Sequence, residues 1–140
     1  MKKERIEKIF TNKGGEGVYT KIFENLLPSQ KDGFVMLIAD KSELPLIGFY
    51  KNDTNWLLLT NQKIYYRCEA VSECILLNDL VSVDVDFTRM QQIGANMNSF
   101  NELEIENKSG EKVILRIESG LPLSGLWNVL LHICWFNQKS

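Results

Sequence analysis

Three stretches in the second half of the chain alternate between apolar and polar residues with a period of two. They are Leu80–Phe87, Asn101–Asn107 and Lys112–Glu118. Successive side chains of a β-strand point to opposite faces, so this alternation is typical of strands with one buried face. Ser109 and Gly110 separate the last two stretches and predict a turn between antiparallel neighbours. The chain is therefore constrained to contain an antiparallel sheet that covers a core.

Apolar runs of strand length also occur in the first half of the chain. They are Gly33–Ala39, Leu46–Tyr50, Trp56–Thr60 and Lys63–Cys68, and a further strand starts at Ile75–Leu77. The polar pair Asn61-Gln62 between two of these runs predicts a tight hairpin. Thr88–Phe100 is rich in Asn, Gln and Met, and its polarity predicts a loop.

Helical spacing of apolar residues is found near the two ends. The first ten residues carry apolar side chains at i, i+3 and i+4, which predicts a helix. Val18–Leu27 predicts a second short helix that Pro28 closes. Pro122 breaks the last strand, and Ser124 is the expected N-cap of a final helix over Gly125–Asn137.

This order of elements predicts an α+β protein that is mainly antiparallel β. A helical lead-in over residues 1–32 precedes one compact unit over residues 33–140, in which about seven strands are followed by a C-terminal helix. Such a helix covers the open edge and the apolar end of a strand meander. The length of 140 residues is that of a single domain.

The charge balance argues against some partners. The net charge is −2, whereas proteins that bind a phosphate backbone use clustered Lys and Arg on a basic domain. We therefore expect no nucleic-acid partner and little electrostatic attraction to a membrane surface. The charged N-terminus is followed by no apolar segment of the signal-peptide kind, and no run reaches membrane-spanning length, so a cytoplasmic protein is expected.

No metal or cofactor motif is evident. Cys68, Cys74 and Cys134 lack C-x-x-C spacing, and His132 is the one histidine, so a zinc site with four N or S ligands is not expected. Each cysteine is interpreted as a small buried apolar residue in a reducing compartment. The cluster Gly14-Gly15-x-Gly17 lacks the phosphate-loop pattern and is expected to be a flexible turn between helices.

Two stretches resemble the bacterial pleckstrin-homology-like (PH-like) families. Trp56–Tyr66 resembles their central hairpin, and Ile75–Val83 resembles the segment Ile-x-Leu-x-Asp-Ile-x-Ser-Val that follows it. Leu103–Phe136 falls where that fold places its last two strands and capping helix. The resemblance implies a barrel of strands capped by the C-terminal helix, and a platform that binds protein segments or lipid headgroups and is rarely catalytic.

The final helix is more apolar than a core-facing helix requires. An apolar stripe of about 100° is enough for such a helix. Leu126, Val129, Leu130 and Ile133 are expected to face the core, whereas Leu131, Trp135 and Phe136 point elsewhere. Either the lead-in helices cover these three residues, which we favour because those helices are themselves apolar on one side, or the residues form an exposed patch that binds a partner.

Carboxylates on the strands form a second candidate surface. If the strands pair, one face of the sheet carries Asp84, Asp86, Glu102, Glu104 and Glu106. Such a face attracts a basic partner segment or simply keeps the sheet soluble. General acid–base catalysis needs a concave, partly desolvated pocket, and exposed strand residues do not predict one.

The leading hypothesis is a non-enzymatic binding or scaffold module whose partner is a protein, a peptide or a second copy. A membrane-surface adaptor is the alternative, with basic residues of the first helix joined by one from a later loop: Lys2, Lys3, Arg5, Lys8 and Lys41. A third hypothesis is an enzyme that uses Asp84, Asp86 or Glu104, and a fourth is a small acidic inhibitor of a basic partner.

Overall fold

Eight strands form two antiparallel sheets in the computed structural model, which describes residues 1–139. The first sheet has the order β1 (Thr20–Ile22), β2 (Pro45–Asn52), β3 (Asn55–Thr60), β4 (Lys63–Cys68) and β5 (Val71–Leu76). The second sheet has the order β6 (Leu80–Asp84), β7 (Glu102–Asn107) and β8 (Lys112–Arg116). Within residues 1–139 the α-helices are α1 (Lys3–Lys13), α2 (Pro28–Val35), α3 (Phe87–Gln92) and α4 (Leu121–Gln138).

The predicted α+β class is confirmed, with antiparallel strands, an N-terminal helix and a C-terminal helix. The predicted hairpin at Asn61-Gln62 is confirmed as the turn between β3 and β4. Among residues 1–139 the closed barrel is not found, because backbone pairing stops after β5 and begins again only at β6. A 3-10 turn at Leu77–Asp79 separates these strands and takes the chain from one sheet to the other.

The core lies between the two sheets and α4. The apolar residues that meet there come from β3, β4, β7, the end of β8 and α4, and include Leu59, Ile64, Leu103, Leu115, Leu126 and Leu130. The predicted inward face of the last helix is confirmed, since Leu126, Val129, Leu130 and Ile133 are buried. Full burial of one such side chain contributes about 1.5–3 kcal/mol, so this face anchors α4.

The predicted strand Gly33–Ala39 is wrong, because the structure places the second half of α2 and a turn there. Pro28 fits the first helical turn with its fixed φ, and the Gln30 side chain accepts a hydrogen bond from the Leu27 amide at 3.2 Å. Phe34 then packs with Leu26 and Leu58 in a small second core on the outer side of the first sheet. A continuous apolar run does not distinguish a strand from a buried helix by its period.

The predicted helix Val18–Leu27 is also wrong. Its residues form β1 and a 3-10 turn at Phe23–Asn25, and β1 pairs with β2 through Thr20 opposite Phe49. The lead-in segment 1–32 thus contributes an edge strand to the first sheet. Backbone pairing with an available sheet edge overrides the helical spacing of a short apolar segment.

The second sheet and the segment that connects its first two strands each differ from the prediction in one detail. A register irregularity between Leu80 and Ser82 turns Leu80 inward and leaves Val81 exposed, as a β-bulge does. The predicted loop Thr88–Phe100 contains most of α3, whose N-cap Asp86 accepts a hydrogen bond from the Arg89 amide at 3.0 Å.

The last helix begins earlier than predicted, at Leu121, with Pro122 in its first turn. Proline is tolerated there because the first amides of a helix have no intrahelical partner. Ser124 is not the N-cap, and its hydroxyl instead donates to the carbonyl of Lys13 at 2.6 Å.

The predicted burial of the cysteines is confirmed for Cys134 alone among the three. Cys74 is exposed on the edge strand β5.

Candidate functional site

Helix α1 runs antiparallel to α4. The end of α1 approaches the start of α4, where Ser124 holds the Lys13 carbonyl, and the start of α1 lies beside the last turns of α4. Ile6 and Phe10 are the fully buried residues of α1. This narrow apolar stripe fixes α1 on α4 but covers only part of the α4 surface.

A groove remains between the start of α1 and the end of α4, and we call it the α1–α4 groove. Its volume is about 610 Å³, within the range of roughly 300–1,000 Å³ that is usual for ligand sites. The groove is lined by Met1, Lys2, Arg5, His132, Trp135, Phe136 and Lys139. It joins residues from two separate predicted surfaces, the apolar side of the last helix and the basic first helix.

Trp135 and Phe136 provide the aromatic surface of the groove. They are 49% and 53% exposed, respectively, so the predicted cover by the lead-in is wrong for these two residues. The reason is that the second predicted helix does not form, and α1 alone is too narrow to cover them. Leu131 is partly buried and packs against the core instead of lining the groove.

The imidazole ring of His132 packs against the ring of Trp135. The two ring centroids are 5.0 Å apart, with an angle of 56° between the ring planes. The Nδ1 atom of His132 lies 2.7 Å from the Asn128 carbonyl oxygen, a hydrogen bond within α4 that fixes the imidazole. The place of His132 in the groove was not predicted from the sequence.

The rim of the groove is positively charged. Lys2, Arg5 and Lys139 are exposed, and none of them forms an ion pair with a carboxylate among residues 1–139. Lys3 points away from the groove, since its ammonium group lies 2.8 Å from Glu24. The hydrogen bond to Glu24 raises the pKa of Lys3. In the described part of the chain no carboxylate lines the groove.

The predicted acidic face is less acidic than the strand pattern indicates. Glu102 is 7% exposed, so its predicted outward position is wrong. Arg89 donates to both of its carboxylate oxygens, at 2.7 and 3.1 Å, and Arg116 lies 3.5 Å away. These interactions, above all the hydrogen bonds from Arg89, lower the pKa of Glu102. Glu102 therefore ties α3 to β7 and β8.

The other carboxylates of this face have mixed surroundings. The predicted pairing of the strands is confirmed, and Asp84 lies opposite Glu104. Lys112 lies 3.8 Å from Glu104 and 4.0 Å from Glu106. Asp86 caps α3. The depression beside Asp86 and Glu104 has a volume of only about 10 Å³, room for a single water molecule and not for a substrate.

The segment that follows the glycine cluster is held by the Glu118 carboxylate. Val18 and Tyr19 donate their amide hydrogens to the Glu118 carboxylate at 2.7 and 2.8 Å, and the Thr20 hydroxyl donates to it at 2.9 Å. These amides are therefore occupied and do not bind a phosphate group. The predicted turn between helices is instead a clamped connection from α1 to β1.

Both oxygens of a buried carboxylate outside the groove accept hydrogen bonds. Glu43 is 4% exposed and accepts hydrogen bonds from the Thr60 hydroxyl at 2.6 Å and the Tyr65 hydroxyl at 3.0 Å. Burial and this hydrogen bond raise the pKa of Tyr65 to about 12. The cluster fastens the loop before β2 to the β3–β4 hairpin and leaves no reactive group.

A second concavity of about 310 Å³ lies under α2 and is lined by Phe34, Tyr50 and Trp56 with small or uncharged neighbours. It was not predicted, because Phe34, Tyr50 and Trp56 were each assigned to a strand, and the strand pattern indicates no pocket beside them.

Among residues 1–139 no cluster of His, Cys, Asp and Glu could hold a metal ion. The described helices include none that is long and apolar enough to cross a membrane.

Comparison of the chain with protein-family models, with curated proteins and with solved structures gave no match in any of the three.

Proposed function

We propose that this chain is a non-catalytic, PH-like binding or scaffold module that recognises a protein segment in the α1–α4 groove. The observation that carries the proposal is the combination of Trp135 and Arg5 in one concave site, with Trp135 half-exposed and packed against His132. Trp and Arg are enriched among the residues that dominate binding energy at protein interfaces.

The geometry favours a protein segment over a flat surface. An anchored aromatic ring loses little conformational entropy when a partner binds, so it contributes more of its contact energy to affinity. The concave shape admits the side chains of an extended or helical segment. The PH-like resemblance of the strands and the C-terminal helix supports the same class of function, since that fold serves as a binding platform.

A membrane-surface adaptor has weaker support. Each basic residue near an anionic bilayer contributes about 1 kcal/mol, so Lys2, Arg5 and Lys139 together contribute about 3 kcal/mol. A dissociation constant of 1 mM already corresponds to about 4 kcal/mol. Lys41, which was predicted to assist, does not line the groove.

Site-specific photo-crosslinking in the native cells tests the proposal. Benzoyl-phenylalanine at position 136 replaces one aromatic ring by another and is expected to give a protein adduct of defined mass. The same residue at position 36 is the control, since Met36 is 86% exposed and lies outside the groove. The adduct should disappear when Trp135→Ser is added. Equal adducts from both positions, or none from position 136, would contradict the proposal.

A further inference from the structure

The α1–α4 groove is positively charged, although the protein as a whole has a negative net charge. The protein has a net charge of −2, yet the groove carries Lys2, Arg5 and Lys139 and, within residues 1–139, no lining carboxylate. Cations without a partner at the rim of a site attract a ligand of opposite charge and orient it. A basic segment would be repelled at this rim.

The charged rim and the aromatic surface require two features in one ligand. Trp135 and Phe136 offer half-exposed ring surface that an apolar or aromatic side chain would cover. Arg5 presents a guanidinium that binds a carboxylate through two parallel hydrogen bonds, and Lys2 and Lys139 add point charges.

We infer that the occupant of the α1–α4 groove is an acidic protein segment, in which Asp or Glu side chains bind Arg5 and the two lysines while an aromatic or aliphatic side chain packs on Trp135 and Phe136. This inference rests on the proposed function and specifies its partner. Complementary charge accelerates association and excludes basic segments, and the aromatic contact supplies most of the affinity.

A second copy of the chain fits this site less well. Two grooves placed face to face would bring six cations together, three from each copy. The acidic face of a second copy is a rigid sheet surface, where Glu102 is buried against Arg89 and Lys112 lies beside Glu104. A flexible segment can adapt its carboxylates to the groove, whereas this sheet cannot enter a concavity.

Selection from a displayed library of short random peptides tests the inference on the full chain. Peptides retained by the wild-type protein are counter-selected on the Trp135→Ser variant, so that only ligands of the groove remain. We expect these peptides to carry more Asp and Glu than Lys and Arg, together with at least one aromatic or aliphatic residue. Affinity of a selected peptide should fall about tenfold or more in Arg5→Glu, and it should weaken as salt is raised.

Lys8→Glu is the matched control, because Lys8 is exposed on the same helix but does not line the groove. It changes the net charge of the protein as Arg5→Glu does and should leave the affinity within about twofold. Equal losses in the two variants would mean that only the overall charge matters and would overturn the inference.

Other outcomes separate the inference from the proposed function. Neutral or basic peptides that depend on Trp135 would overturn the inference and leave the groove as a protein-binding site. A library that yields no groove-dependent peptide would overturn the inference, and crosslinking from position 136 would then decide the proposed function alone. Arg5-dependent binding to vesicles of phosphatidylserine and phosphatidylcholine, without peptide binding, would assign the groove to membranes and overturn the inference.

Discussion

Gly14 lies directly against the backbone of Gly125. A methyl group added at Gly14 would stand 2.2 Å from the Gly125 amide nitrogen, and one added at Gly125 would stand 2.7 Å from the Phe10 ring. The two glycines let the end of α1 touch the start of α4, and this contact sets the position of α1 along α4. The opposite end of the same helix pair forms the α1–α4 groove, so the groove depends on this contact.

Gly14→Ala is expected to lower the free energy of unfolding by about 2 kcal/mol or more, because overpacking forces backbone to move away from backbone. Gly33→Ala is the control: Gly33 is exposed in α2, and apart from its chain neighbours and the backbone of its own helix, an added methyl group there meets no atom of residues 1–139 within 4 Å. Its helical position predicts a gain of up to about 1 kcal/mol. Urea unfolding of both variants measures the difference, and equal stabilities would contradict the close contact.

Glu118→Gln should loosen the connection between α1 and β1. The amides of Val18 and Tyr19 donate to different oxygens of Glu118, so the NH2 group of a glutamine in this position faces one of the two amides and cannot accept its hydrogen bond. The expected loss is about 2 kcal/mol. Hydrogen exchange should become faster at these two amides, while Glu111→Gln, in an exposed turn, changes neither quantity. Unchanged exchange in Glu118→Gln would show that the clamp does not order this segment.

Glu102 should contribute to acid stability. Its pKa in the folded state lies below the usual 4.5, mainly because of the hydrogen bonds from Arg89. A lowered pKa stabilises the folded state fully above about pH 4.5, and this contribution is lost as the pH falls from there through the lowered pKa. Glu102→Gln should cost about 2 kcal/mol near neutral pH and flatten the decline in acid.

Unfolding by urea from neutral pH down into this acidic range checks the pH dependence. Glu104→Gln is the control, since its partner Lys112 lies 3.8 Å away and is largely exposed, and such pairs contribute little. Parallel curves for wild type and Glu102→Gln would show that the Arg89 pair does not shift the titration of Glu102.

The protein is expected to be a monomer by light scattering, because groove-to-groove contact would oppose like charges. Trp135→Glu should also be a folded monomer, since Trp135 is 49% exposed and contributes little to the core. A wild-type dimer that dissociates in Trp135→Glu would make a second copy the occupant of the groove. A variant that unfolds would place Trp135 in the core and contradict the described exposure.

The alternating strands β7 and β8 could be predicted because their period is set by one buried face, whereas the stretch Leu80–Phe87 was predicted only in part, since β6 ends at Asp84 and Phe87 is exposed in α3. Leu103, Ile105, Leu115 and Ile117 are buried as the sequence indicates. The inward face of α4 was predictable for the same reason, with the helical period. Gly33–Ala39 could not be assigned, because a short apolar run is compatible with a helix when Pro28 and Gln30 stabilise its start.

The groove itself could be predicted only in part. The width of the apolar surface on α4 indicated Trp135 and Phe136, and the charge of the first helix indicated Lys2 and Arg5. Their meeting depends on the antiparallel packing of α1 on α4, which no local pattern specifies. For Glu102 the local pattern gave a wrong position. Strand alternation predicts that its side chain points outward, whereas the tertiary contact with Arg89 on α3 buries it.

The affinity of the photo-crosslinked partner for wild type and for Trp135→Ser tests the central claim most directly, with calorimetric titration as the measurement and urea unfolding as the check on folding. We predict a dissociation constant at least about tenfold higher in Trp135→Ser, as expected for an aromatic residue that dominates an interface, with an unfolding free energy close to that of wild type. Equal affinities in two equally stable proteins would contradict the assignment of the α1–α4 groove as the partner-binding site.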